Sequence, residues 1–124
     1  MRMFRWALPL SVVASLFGAP AYADDVGEVV VVTHLDIIPT PTFMTDAVPL
    51  IKQFVLDSRK DPGVKSFTMI TWDPTTNHFQ LIERFQNKRA FDAHVSAKHT
   101  VDFRTALQQF IGAPYDERLY SAHR

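Results

Sequence analysis

The chain has 124 residues, 47% apolar and 21% charged, with 13 basic and 13 acidic side chains and no cysteine. That composition describes one globular domain and excludes disulfides, thiolate metal sites and a cysteine nucleophile. No basic stripe or RNA-type aromatic motif occurs, which argues against nucleic acid as a partner.

The chain begins with the layout of a secretory signal peptide. Arg2 and Arg5 form a positive start, Trp6 to Phe17 is mostly apolar, and Ala21-Tyr22-Ala23 is a small-x-small cleavage site before Asp24. The apolar run falls short of the about 20 residues a bilayer-spanning helix needs. Residues 1–23 are therefore expected to be removed, leaving no stable membrane anchor. Residues 24–124 form the exported domain, destined for a bacterial periplasm. An exported domain of this size without disulfides has a small core, a first hint of dimerisation.

Glu28 to Ile38 reads as a strand, β-branched and apolar on both faces over Val29-Val30-Val31-Val32. His34 and Asp36 share a face with Val30 and Val32, so His34 is expected to continue a buried row. A helix follows to about Lys60, with Ala47, Leu50, Ile51, Phe54, Val55 and Ser58 at three-four spacing. Pro49 favours a start near Thr45 or Asp46, either of which can cap, with the proline in the first turn. A start near Thr42 with a kink is the alternative.

Asp61-Pro62-Gly63 is a helix stop. Val64 to Trp72 and His78 to Gln86 read as an antiparallel hairpin around Asp73-Pro74-Thr75-Thr76-Asn77, with Phe79, Leu81, Glu83 and Phe85 on one face. Asn87 caps a second helix, Lys88 to Lys98, in which His94 faces outward or toward a neighbouring strand. His99-Thr100 is a break. Thr100 caps a third helix, Val101 to Ile111, closed by Gly112 as a left-handed C-terminal glycine. Tyr115 to Ser121 is the last strand.

The order β-α-β-β-α-(α)-β is that of an α+β, ferredoxin-like split βαβ, a four-stranded antiparallel sheet with helices on one face. Apolar residues of both parities on the strands predict a homodimer in which two sheets pack face to face.

Four segments carry a family resemblance. Ser58-Arg59-Lys60-Asp61-Pro62-Gly63 resembles the end of the first helix in antibiotic biosynthesis monooxygenase (ABM) domains. Phe91-Asp92-Ala93-His94-Val95-Ser96-Ala97-Lys98-His99 is similar to that family's second helix. Val32-Thr33-His34-Leu35-Asp36 and Pro114 to Tyr120 resemble an exported branch of it. The likeness runs from about Val29 to Tyr120. It implies a dimeric α/β barrel with a substrate cavity between sheet and helices. It further implies a cofactor-free monooxygenase acting on a quinol or polyketide phenol with O2. Haem-degrading relatives have a strand-one Asn, a Trp ending strand three and a His in the last helical segment. Here these positions offer Thr33 and His34, Phe85, and a histidine-free Val101 to Ile111, which argues against haem degradation.

A cofactor-free oxygenase needs a base that ionises its phenol near neutral pH, and histidine fits. His34 leads, with Asp36 as the carboxylate that orients it, and His99 at a helix junction is second. Phe85, Phe91, His94 and Trp72 are candidates for contacting an aromatic substrate. His78 in the hairpin and His123 near the terminus are expected to be solvated. His94 and His99 lack the spacing of a helical zinc pair, and no HExxH occurs, so no metal site is expected. A non-catalytic binding module for an aromatic ligand is the alternative to an enzyme.

Overall fold

A computed structural model describes residues 27–123. The signal-peptide reading concerns residues 1–23 and lies outside the described residues. The run of β-branched side chains after Glu28 builds strand β1, Val29–Asp36, at the centre of the sheet. Its burial alternates strictly. Val29, Val31, Thr33 and Leu35 lie under the helices, and Val30, Val32, His34 and Asp36 lie on the opposite, partly exposed face. His34 thus does not continue a buried row, because the single layer of helices covers the other side of the strand.

Helix α1, Phe43–Ser58, buries Ala47, Val48, Ile51, Phe54, Val55 and Ser58. It starts earlier than Thr45. The backbone N–H groups of Thr45 and Asp46 both donate to the Thr42 carbonyl at 2.9 Å, so Pro49 stands inside the helix rather than in its first turn. Pro49 and Thr45 are both exposed, so the bond the proline removes falls on the solvent side, where its loss costs least.

The chain leaves α1 through Asp61-Pro62-Gly63. Gly63 has φ +79°, and a Cβ there would stand 2.5 Å from Ala90 Cβ, so glycine is required on both counts. Strands β2, Val64–Thr71, and β3, His78–Phe85, form the predicted hairpin. The Asn87 side chain accepts from the Ala90 N–H at 2.9 Å and starts helix α2, Lys88–Ser96.

The second helix boundary differs from the sequence reading. Extended Ala97 is at once the C-cap of α2 and the N-cap of helix α3, Lys98–Leu107. His99 is therefore in the first turn of α3. Thr100 is buried within that helix instead of capping it. Gly112 lies outside the left-handed region. Its N–H donates to the Asp36 carbonyl at 2.8 Å, tying the end of the α3 segment to β1.

Strand β4, Asp116–Ser121, pairs with β1. The antiparallel order β2-β3-β1-β4 is that of the ferredoxin-like fold. Between sheet and helices, Phe54 stacks on Phe103 at 3.9 Å and meets Phe67 edge-on at 5.5 Å. Phe85, Leu81, Leu35 and Leu107 complete the centre. Each such side chain contributes about 1.5–3 kcal/mol by leaving water. Among the described residues no helix is long and apolar enough to cross a membrane.

Candidate functional site

The antiparallel register sets Asp36 opposite His78 and His34 opposite both Gln80 and Asp116 on the outer sheet face. Ile70 and Thr71 of β2 and Trp72 just beyond it approach the same corner. Together they line a cleft of about 360 Å³ with His34, Asp36, His78 and Gln80. A second cleft of about 440 Å³ opens on the β4 side, where His34 and Asp36 recur beside Tyr115 and Asp116. His34 and Asp36 thus stand between two openings of ligand size.

The polar groups there are held in place. The Gln80 side-chain amide lies 3.2 Å from His34 Nδ1 and holds the ring in place. Asp36 Oδ1 is bound to His78 Nδ1, not to His34. Trp72, 59% exposed, meets His78 edge-on at 5.7 Å and gives the cleft an aromatic wall. The corner thus offers one imidazole held by an amide, a second imidazole paired with a carboxylate, and an indole.

A second cluster forms at the helix junction. His94 Nδ1 lies 2.8 Å from Asp61 Oδ2, and His99 Nε2 lies 3.0 Å from the same oxygen. The break at Ala97 reverses the chain enough for two histidines five positions apart to converge. His94 does not face outward. It is 1% exposed, its ring centroid 5.3–5.6 Å from those of Phe54, Phe67 and Phe85. Burial draws its pKa below the usual histidine range, against the opposing pull of Asp61.

Of the residues singled out in the sequence, His34, Asp36 and Trp72 therefore meet at the outer cleft, while His94 and His99 meet at Asp61. Phe85 and Phe91 pack edge-on at 5.4 Å in the core, Phe85 against His94. His78, expected to be solvated, is instead Asp36's partner. His78 and Gln80 carried no motif of their own, and Asp61 stood only in a helix stop; pairing across strands and across the helix junction brings them in.

Glu83 was also missed, although its sequence signal is clear: a carboxylate at the parity of Phe79, Leu81 and Phe85. It faces the core and is 1% exposed, with Oε1 accepting from Thr33 Oγ1 at 3.1 Å and Oε2 without a partner. Burial, then the nearby Glu117 charge, pushes its pKa up to about 8, while Thr33 and Arg104 oppose the rise. Arg104 binds Glu117 at 2.5 Å and stands 4.7 Å over the Tyr115 ring. Burial raises the Tyr115 phenol well above its ordinary range.

No family model matches the chain, and no curated protein matches it in sequence. Solved structures do match. Rv0793 from Mycobacterium tuberculosis superposes with a TM-score of 0.71 at 16% identity, over 79% of this chain and 97% of its own. An antibiotic biosynthesis monooxygenase gives 0.70 at 19% identity, over 77% and 99%. A variant of SnoaB, a cofactor-independent oxygenase from Streptomyces nogalater, gives 0.68 at 16% identity, over 80% and 96%. At these identities the likeness is one of fold. The antiparallel sheet and its helical cover are the α+β, ferredoxin-like architecture of the antibiotic biosynthesis monooxygenase domain proteins, to which this chain is structurally similar.

Proposed function

We propose that the protein is a cofactor-independent monooxygenase that oxidises a quinol or related phenol with O2. The observation that carries this reading is the outer cleft, in which His34 and the Asp36–His78 pair face a space of about 360 Å³ beside Trp72. SnoaB supports oxygen chemistry without a bound group on this fold. The phenolic ring lies against Trp72 and His78, and His34 takes the hydroxyl proton. The resulting anion passes an electron to O2, and the two radicals combine at a ring carbon. Loss of water from the peroxide leaves a quinone with one added oxygen atom. The balance is quinol plus O2 to hydroxyquinone plus water, with the four electrons taken from the quinol received by O2, one oxygen atom entering the product and the other leaving as water.

The same reading includes a homodimer and export. Val30, Val32 and Ile82 are half-buried on the outer sheet face and Ile70 is 45% exposed. A second sheet laid on that face removes this apolar surface from water and roofs the cleft. Export rests on the sequence of residues 1–23, and a mature N-terminus at Asp24 in a periplasmic fraction is its test.

Oxygen uptake with a panel of quinols tests the activity. Uptake above the autoxidation blank, lost in His34→Ala with the melting temperature retained, is the expected result. No uptake from any quinol overturns it. If the quinols then still quench Trp72 fluorescence, the cleft is a binding module for aromatic ligands without catalysis.

A further inference from the structure

We infer that Asp61, His94 and His99 form a binding site for a first-row divalent transition cation of the zinc class. The inference concerns the helix junction and does not depend on the chemistry of the outer cleft. Asp61 comes from the turn after α1, His94 from the last turns of α2 and His99 from the first turn of α3. Two imidazoles and one carboxylate suit zinc, cobalt, nickel or ferrous iron, and disfavour magnesium and calcium, which take oxygen ligands.

The geometry fits an ion. Nδ1 of His94 and Nε2 of His99 lie 2.8 and 3.0 Å from Asp61 Oδ2, and the three ligand atoms are within 4.8 Å of one another. Ligands held about 2.0–2.2 Å from a common tetrahedral ion stand about 3.4 Å apart. A small outward movement of the side chains thus opens the position an ion takes.

The second observation concerns His99. Its Nε2 is a buried atom that makes no aligned hydrogen bond, although Asp61 Oδ2 is only 3.0 Å away. His94 already donates to that oxygen. A buried ring nitrogen so placed has its polar requirement unmet by the protein, and a cation shared with Asp61 meets it. The rings of Phe54, Phe67 and Phe85 around His94 form an apolar shell that strengthens ion–carboxylate attraction. There is also a way in. His99 lines a groove of about 290 Å³ between α1 and α3 whose rim carries the carboxylates of Asp57 and Asp102. Three protein ligands leave a coordination position for water or a small anion.

The test uses the untagged full chain, treated with EDTA and dialysed. Titration with Co(II) is followed by its visible d–d absorption, and titration with Zn(II) by calorimetry. One equivalent is expected to bind, with no heat from Mg(II). His99→Gln and Asp61→Asn should each weaken Zn(II) binding by more than about 10-fold, the least that losing a group one step removed from an ion costs. His99 is partly exposed, so His99→Gln should melt within a few degrees of the parent without metal, which separates lost binding from lost folding. His123→Gln, near the terminus, should leave the affinity unchanged. Absence of stoichiometric Zn(II) and Co(II) binding overturns the site. So does binding that survives His99→Gln, or binding that is lost in His123→Gln.

Discussion

Asp36 forms its hydrogen bond with His78 across the β1–β3 pair, and not with His34 two positions along its own strand. The reason is strand geometry. Same-face neighbours along a strand are about 7 Å apart, whereas directly opposed residues of an antiparallel pair bring their Cβ atoms to about 5 Å. His34 is left with Gln80 and an open cleft, so its imidazole is the group free to accept a substrate proton. For a quinol that the parent oxidises, His34→Ala should lower kcat/KM by about 10²–10⁴-fold, the usual contribution of a general base. Asp36→Asn should have a smaller effect, because its carboxylate acts through His78. Steady-state oxygen consumption with both variants checks the order.

Glu83 makes stability depend on pH in a direction opposite to most carboxylates. Its folded pKa, about 8, lies above its ordinary value of 4.5. Below pH 4.5 both states hold the proton and nothing is lost. Between 4.5 and 8 the unfolded chain releases it and the folded chain does not. Stability therefore falls as pH rises, by up to about 1.4 kcal/mol per pH unit, and levels off above 8. Glu83→Gln removes this dependence. The variant should match the parent closely near pH 5 and melt several degrees higher near pH 9. Thermal melts of both proteins at the two pH values decide it, and equal differences at both would count against the buried ionisation.

Gly63→Ala should be costly for a surface-turn substitution. An alanine there faces a positive φ and a Cβ contact of 2.5 Å with Ala90. Backbone strain alone costs about 1–3 kcal/mol, and displacing Ala90 adds to it. The damage should spread to α2, since Gly63's carbonyl also accepts from the Gln86 N–H at 2.7 Å. Urea unfolding followed by circular dichroism gives the free-energy change, which should exceed that of Gly112→Ala, where φ is unrestricted and the nearest foreign atom is 3.5 Å away.

Ile70→Arg probes the outer sheet face as a dimer interface. Ile70 is already half exposed in a single chain, so the substitution costs little within one protomer. A buried, unpaired guanidinium at a sheet–sheet contact is costly. Sedimentation velocity at micromolar concentration should show a dimer for the parent and a monomer for Ile70→Arg. A parent that sediments as a monomer removes the interface.

The element order, the Asn87 cap and the Gly63 turn were legible because they rest on neighbours in sequence. Asn87 caps α2 as its chemistry demands, and Gly63 turns the chain where only glycine fits. The helix limits were less legible. Thr45 and Asp46 have the right side chains for an N-cap, but the helix extends past them because Pro49 loses its bond on the solvent face. Thr100 looked like a cap until the packing of α3 against α1 took it inside.

The sites divide in the same way. The sequence by itself determined that His34 and Asp36 share a strand face, that Glu83 stands in an apolar row, and that His94 and His99 bracket a helix end. Periodicity dictates each of these statements, since a side chain's direction follows from its position in the element. Which face is covered, and which groups become partners, was decided by tertiary structure alone. One layer of helices can bury only one side of the sheet, so His34 looks outward and Glu83 inward. Asp36 meets His78, and Asp61 gathers His94 and His99, because strand register and the break at Ala97 bring together residues that no local rule connects.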